Sequence, residues 1–165
     1  MPVWRAAALV GVALLSLAPA GASAQARRGG GSFIRGPISL GPRVGRDFEN
    51  HAWTVGGQVS VPVGSNLELR PSGDVFFPKD GDTGWQANGD AAFYIGSGKR
   101  FYAGGGIAFA HPGGGETKTG YNLFGGFRAD PKLSRTTPFL EGRWTFVNDT
   151  SPFRLALGFN YRLGG

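Results

Sequence analysis

The sequence predicts an all-β protein, an eight-stranded antiparallel up-and-down transmembrane β-barrel preceded by a cleavable signal peptide. Three observations support this prediction. No window after residue 30 shows a sustained helical period, whereas apolar and polar residues alternate through most of the chain. Breaks rich in Gly, Pro, Asp, Ser and Asn divide this region into eight segments. The polar face of several segments carries both arginines and acidic residues.

The composition excludes several classes of protein. The chain has 165 residues, of which 30 are Gly and none is Cys. The absence of Cys excludes a disulfide scaffold, a Cys-based zinc site and a thiol nucleophile. The glycines have no period of three, which excludes collagen, and 13 Phe, 4 Tyr and 4 Trp are too many for a disordered linker. One domain with its own core is the organisation that this length favours.

The first 24 residues have the pattern of a signal peptide. The run Ala6–Ala18 is mostly apolar, and Ala22-Ser23-Ala24 fits the small-residue rule for cleavage. This run of 13 residues is shorter than the roughly 20 residues of a transmembrane helix. A buried N-terminal helix is the alternative interpretation. The predicted parts are a signal peptide over 1–24, a flexible lead-in over 25–32 and a barrel over 33–165.

The eight segments are predicted to be strands. In the last of them, Phe153 begins an apolar face and Arg154 begins the opposite, polar face. Several segments approach the roughly 9–11 residues of a tilted membrane-spanning strand. Pro42, Pro62 and Pro71 lie inside predicted strands and weigh against regular pairing there. The predicted strands are roughly Ile38–Gly45, Trp53–Val63, Leu67–Phe77, Trp85–Ile95, Phe101–Ala110, Gly120–Ala129, Phe139–Val147 and Phe153–Leu163.

The charged residues of the strands indicate which face points inward. Arginine and acidic side chains on one face can form ion pairs within a narrow lumen, while the apolar face meets lipid. Because these arginines outnumber the acids by two, two of them need water or carbonyl partners. We predict a structural luminal charge network of Arg43, Glu68, Arg70, Asp74, Asp90, Arg128, Glu141, Arg143, Arg154 and Arg162.

Two further patterns favour the membrane interpretation. All four lysines lie in predicted turns or loops, and the aromatic residues concentrate towards the two ends of the strands, as in the aromatic girdles of membrane proteins. A soluble periplasmic barrel that encloses an apolar ligand has the same alternation with the two faces exchanged. That calyx remains an alternative at this point.

In the last segment, Gly158-Phe159-Asn160-Tyr161-Arg162-Leu163, apolar or aromatic residues alternate with polar ones up to Leu163. With the signal peptide and the eight strands, it resembles the small eight-stranded outer-membrane β-barrel proteins of Gram-negative bacteria. In that family such a segment is an assembly signal that normally ends in Phe. Here Leu163 replaces the Phe, and two glycines follow it. The matching positions are Gly158, Phe159, Tyr161 and Leu163.

The resemblance implies a location and a set of partners. It implies an integral protein of the cell outer membrane with periplasmic termini and a structural or surface-interaction role. An eight-stranded lumen is filled by side chains, so we expect it not to conduct solutes. Expected partners are outer-membrane lipid and, during biogenesis, the outer-membrane assembly machinery. The protein is expected to be a monomer without a cofactor. Nucleic acid is not an expected partner, since the arginines alternate with acids inside strands.

Candidate catalytic residues lie at the predicted outer rim. Some members of the resembled family modify lipid A with a rim His, a Ser and an acid. In this chain His51 and His111 fall at that rim, with Glu49, Glu116 and Thr54 as candidate neighbours. However, no Ser stands at a His-x-Ser spacing. The sequence therefore predicts no catalytic site, and a rim enzyme that modifies lipid A remains an alternative.

Candidate metal ligands also cluster at this rim. The two histidines with Asp47, Asp80, Asp82 or Glu116 have suitable chemistry, but their spacing matches no established motif. Asp80-Gly81-Asp82 resembles the start of a calcium loop without the remaining ligands and the closing Glu. We interpret it as a turn and predict no metal site.

Overall fold

The computed structural model describes residues 33–132, 134–148 and 150–164, and these residues form a closed barrel of eight antiparallel strands. Each strand pairs with its neighbours in the sequence, and the last pairs with the first, which confirms the predicted all-β barrel. The predicted signal peptide and lead-in, residues 1–32, lie outside the described part of the chain. The strands are β1 (Ser39–Asp47), β2 (Ala52–Pro62), β3 (Leu67–Pro78), β4 (Gly84–Ile95), β5 (Phe101–His111), β6 (Lys118–Arg128), β7 (Thr136–Phe146) and β8 (Phe153–Arg162).

The predicted strands agree with these bounds to within three residues. The largest difference is β7, which begins at Thr136 rather than at Phe139. Pro138 does not end the strand, because the pairing of β7 with β6 stops at Phe139 and Pro138 pairs only with Phe159 of β8. Its missing N–H therefore falls where one ladder has ended. No helix in the described ranges is long and apolar enough to cross a membrane.

The register is regular around the whole barrel. Starting at Pro62 of β2, successive paired residues lead through every strand to Asp47 of β1, which pairs with Ala52 of β2. One circuit therefore returns to β2 ten residues from where it started. This stagger means that the strands are tilted against the barrel axis, as closure requires.

Pro42 and Pro71 interrupt ladders without ending their strands, whereas Pro62 is the last residue of β2. Pro42 pairs with Gly57 on β2, while the pairing of β1 with β8 skips Gly41 and Pro42. Pro71 pairs with Gly89 on β4, and the pairing of β3 with β2 is interrupted opposite it. Pro42 and Pro71 thus each keep one regular ladder and lie at a gap in the other.

The alternation of the strands separates an apolar exterior from a polar interior. The side chains of Trp53 and Leu157 on the outer surface are 61% and 59% exposed. Arg70 and Glu141 on the inner surface are 2% and 1% exposed. This arrangement is the reverse of a soluble calyx, which needs its apolar face inside. It matches a barrel that is surrounded by lipid.

The connections between strands define the two ends of the barrel. We call the end with the connections 48–51, 79–83, 112–117 and 147–152 the loop end. We call the opposite end, with residues 33–38 and the connections 63–66, 96–100 and 129–135, the turn end.

Candidate functional site

Nine of the ten residues predicted for the charge network lie inside the barrel and form one connected set of ion pairs. Inward-facing positions of six strands, β1, β3, β4, β6, β7 and β8, supply them. Every member is at least nine-tenths buried. The connected residues are Arg43, Glu68, Arg70, Asp74, Asp90, Arg128, Glu141, Arg143 and Arg154.

Glu141 is the centre of this network. Its carboxylate lies 2.9 Å from the guanidinium of Arg143, 3.2 Å from that of Arg70 and 3.8 Å from that of Arg43. The hydroxyl of Tyr102 donates a further hydrogen bond to Glu141 over 3.2 Å. One carboxylate thus joins arginines of β1, β3 and β7, so it ties together opposite walls of the barrel.

Asp74 and Asp90 connect the remaining walls. Arg43 donates two hydrogen bonds to Asp74, at 2.8 and 2.6 Å, and Arg154 donates one at 3.1 Å. Arg143 donates to Asp90 over 2.7 Å. A two-pronged contact such as that of Arg43 is among the strongest and most directional that side chains form.

Glu68 forms the part of the network nearest the turn end. It accepts hydrogen bonds from Arg128 at 3.0 Å and from the Tyr94 hydroxyl at 2.8 Å. Tyr94 in turn accepts from Arg128 at 2.7 Å and from Arg70. The phenol oxygen therefore accepts hydrogen bonds from two arginines while its O–H donates one to the carboxylate. Each of these buried groups thus has at least one partner, although the Nε of Arg70 forms no hydrogen bond.

Aromatic rings inside the lumen were not included in the predicted site. Arg128 lies 3.6 Å from the ring centre of Tyr94, Arg70 lies 4.2 Å from that of Tyr102, and Arg143 lies 4.7 Å from that of Phe124. Such contacts stabilise a cation that has lost its water. The strand parity places Phe124 on the same face as Asn122 and Arg128, which is the signal that was available in the sequence.

Glycines make room for these rings. A Cβ at Gly104 would lie within 2.5 Å of the Phe124 ring, and one at Gly126 would lie within 2.5 Å of the Tyr102 ring. Each glycine thus leaves the space that a neighbouring ring occupies. Glycine is required at both positions by close approach rather than by backbone conformation.

Arg162 is the predicted member that lies apart. It is half-buried at the turn end, and its guanidinium donates to the Pro131 carbonyl. In the described part of the chain no ion pair joins it to an acid. Arg128 also donates to a carbonyl, that of Lys99, over 2.9 Å. These are the two carbonyl-bound arginines of the predicted set.

The rim histidines do not assemble a catalytic group with the predicted neighbours. His51 lies in the connection between β1 and β2 with a φ of 47°, and it forms no hydrogen bond or ion pair with Glu49 or Glu116. His111 stacks on Trp85 at 5.5 Å and its Nδ1 lies 3.2 Å from the Thr117 hydroxyl. Among the described residues, no three His, Asp or Glu side chains are placed to hold a metal ion.

The two ends of the lumen open into separate cavities. The cavity at the loop end has a volume of about 390 Å³ and that at the turn end about 430 Å³. They share no lining residue; Glu68 and Arg128 of the charge network line the cavity at the turn end, and the other seven network residues line neither cavity.

The fold is similar to those of solved β-barrels. The N-terminal β-barrel domain of Pseudomonas aeruginosa OprF has a TM-score of 0.66 at 15% identity, over 79% of this chain and 99% of that one. Neisserial surface protein A has a TM-score of 0.57 at 9% identity, over 76% and 94%. A de novo designed transmembrane β-barrel has a TM-score of 0.54 at 14% identity, over 79% and 99%. No protein-family model and no curated protein matches the sequence. The chain therefore has the fold of the small eight-stranded outer-membrane β-barrel proteins.

Proposed function

We propose that this protein is an integral outer-membrane β-barrel with a structural or surface-interaction role and a lumen that does not conduct solutes. The observation that carries the proposal is that the apolar face of the strands points outward and the polar face points inward, which is the reverse of a soluble barrel. Large apolar side chains cover the outside of a closed barrel, and nine charged side chains form ion pairs inside it. A lipid bilayer favours both features, because the apolar outer surface contacts hydrocarbon and the closed barrel keeps the charged side chains away from it.

The proposed orientation places the turn end and the termini in the periplasm and the loop end outside the cell. Residues 1–24 act as a signal peptide in this proposal, outer-membrane lipid surrounds the barrel, and the assembly machinery recognises Gly158, Phe159, Tyr161 and Leu163. The protein is a monomer. Export is tested by sequencing the N-terminus of the protein from purified outer membranes, which we expect to begin at Gln25. An intact Met1 would contradict it.

The membrane barrel is tested by gel mobility in detergent before and after boiling. A closed barrel resists unfolding by the detergent, so we expect the unboiled sample to migrate faster than the boiled one. Solubility without detergent, together with equal mobility of the two samples, would overturn the proposal.

The closed lumen is tested by conductance across a planar lipid bilayer. Because the charge network separates the two cavities, the native protein should give no steady current. The matched variant is Arg70→Ala/Glu141→Ala, which removes two large side chains and their four ion pairs from the centre of the lumen and should admit a measurable current. A native current as large as that of the variant would contradict a closed lumen.

A further inference from the structure

The turn end of the barrel carries a concentrated positive charge. Six basic side chains line the cavity of about 430 Å³ at this end, while Glu68 is the acid among its described lining residues. The basic residues are Arg35, Lys99, Arg128, Lys132, Arg135 and Arg162. Within a concave, low-dielectric wall, charges of one sign reinforce each other's field.

Three of these side chains already have partners, yet only one is neutralised. Arg128 pairs with Glu68 at 3.0 Å. Lys99 donates to the Ser65 carbonyl and Arg162 to the Pro131 carbonyl. A carbonyl holds a cation in place without cancelling its charge. Lys99 and Arg162 are therefore fixed at the cavity and still positive.

The other three cations are available to a ligand. Arg35, Lys132 and Arg135 are exposed, and in the residues that the structure describes no ion pair engages their side chains. Arg135 and Arg162 are brought side by side by the backbone, since the Arg162 amide donates to the Arg135 carbonyl over 2.9 Å. The cavity thus combines fixed cations with free ones.

The opposite end of the same lumen has the opposite character. Asp47, Asp80 and Asp82 line the cavity at the loop end, and Lys118 is the one lysine or arginine among its described lining residues. The excess at the turn end is therefore a local feature and not a reflection of the basic composition of the chain.

We propose that the turn-end cavity binds phosphate groups, with Arg35, Lys99, Lys132, Arg135 and Arg162 as their partners. Guanidinium groups match two phosphate oxygens at once, and lysines add mobile point charges. Two sources supply this chemistry, an anionic lipid headgroup at the membrane edge and a soluble phosphorylated molecule. The proposal depends on the geometry of the barrel mouth and not on the cellular location of the protein.

The test is a calorimetric titration of the full mature barrel, in a non-ionic detergent, with inorganic pyrophosphate. We expect saturable binding that weakens as salt is added. Lys132→Gln/Arg135→Gln should weaken it about tenfold, since hydrogen bonds to charged groups are the strong ones. The matched control Lys79→Gln/Lys118→Gln removes the same charge near the loop end and should leave the affinity unchanged. Faster gel migration before boiling verifies that each variant is folded.

Absence of saturable binding to the native protein would overturn the proposal, as would equal weakening by the two double variants. The source is then identified in nanodiscs of phosphatidylcholine, with and without phosphatidylglycerol. Weaker pyrophosphate binding in the anionic nanodiscs, seen for the native protein but not for Lys132→Gln/Arg135→Gln, would support a lipid headgroup. Equal binding in both nanodiscs would support a soluble phosphorylated ligand.

Discussion

Asp74 is the buried acid on which two arginines depend. Replacing it with Asn keeps the shape of the side chain but leaves Arg154 without a carboxylate and Arg43 with Glu141 alone, 3.8 Å away. One terminal nitrogen of Arg154 already lacks a partner, so it has no alternative contact to take up. We expect Asp74→Asn to lower the free energy of unfolding by about 3–5 kcal/mol. Urea unfolding in lipid vesicles, followed by tryptophan fluorescence, measures this.

The control for Asp74→Asn is Asp80→Asn. Asp80 lies exposed in the connection between β3 and β4, where a charge contributes little to stability. Equal urea midpoints for the two variants would mean that the buried ion pairs contribute nothing to stability.

Adding a single methyl group at Gly104 tests how closely the inside of the barrel is packed there. A methyl group there would collide with the Phe124 ring and with the backbone of β4, so one of them must move. We expect Gly104→Ala to destabilise the barrel by about 1–3 kcal/mol, as overpacking of a core does. Gly89→Ala is the matched control, because a Cβ at Gly89 has nothing within 4 Å. If both variants unfold at the same urea concentration, close packing at Gly104 is not the reason for glycine.

The identity of the buried charged residues was predictable from strand parity, but their partners were not. Arg70 and Glu141 belong to β3 and β7, and only the curvature and stagger of the closed barrel bring them to 3.2 Å. Tyr102 and Phe124 were missed for a different reason. The general expectation that apolar rings meet lipid does not apply where a ring covers a buried guanidinium.

At the scale of one element, β8 tests which face of a strand meets lipid. Leu157 is 59% exposed and pairs with Val44 and Leu140 near the middle of the neighbouring strands. An arginine at the bilayer midplane costs about 2–4 kcal/mol and one near the interface about 0–1 kcal/mol. We therefore expect Leu157→Arg to destabilise the barrel in vesicles far more than Ile95→Arg, at the turn end of β4.

The comparison of Leu157→Arg with Ile95→Arg needs only reversible folding into phosphatidylcholine vesicles. Equal destabilisation by the two variants would contradict the depth assigned to Leu157. A negligible effect of both would contradict an apolar surrounding altogether.

The bounds of a strand were predictable from the sequence where apolar and polar residues alternate clearly up to its ends. The alternation of β8 begins at Phe153 in the sequence and in the structure. The start of β7 was missed because Pro138 looks like a boundary, although its lost hydrogen bond lies at the end of the ladder with β6. A sequence shows where a proline stands, but not which of its two neighbouring ladders is still present there.

At the scale of the whole molecule, closure of the barrel rests on the pairing of β1 with β8. The chain contains no Cys, so Val44→Cys/Leu157→Cys introduces the only thiols, at residues that pair directly across this seam. Directly opposed residues have Cα atoms close enough for a disulfide. We expect the folded variant to form the bond under mild oxidation, detected as loss of free thiols by mass spectrometry.

The matched control for the seam is Val44→Cys/Leu123→Cys. Leu123 lies on β6, which two strands, β7 and β8, separate from β1, and its side chain is similarly exposed to the outside. This pair should keep its free thiols in the folded protein. Equal oxidation of the two variants, or none in the first, would mean that the sheet is open.

The ion pairs and hydrogen bonds of the lumen join residues that are far apart in the sequence. Gln58 bonds to Asn160 across 102 positions, and Asp74 meets Arg154 across 80. Contacts of this kind form late, because distant segments must first lose the freedom to move independently. Charged residues of the early strands, such as Asp74, therefore cannot complete their ion pairs until β8 joins the barrel. We expect folding to be slow and concerted for this reason. During that delay the chain exposes apolar faces that favour aggregation, so a folding chain benefits from chaperones until its last strand is in place.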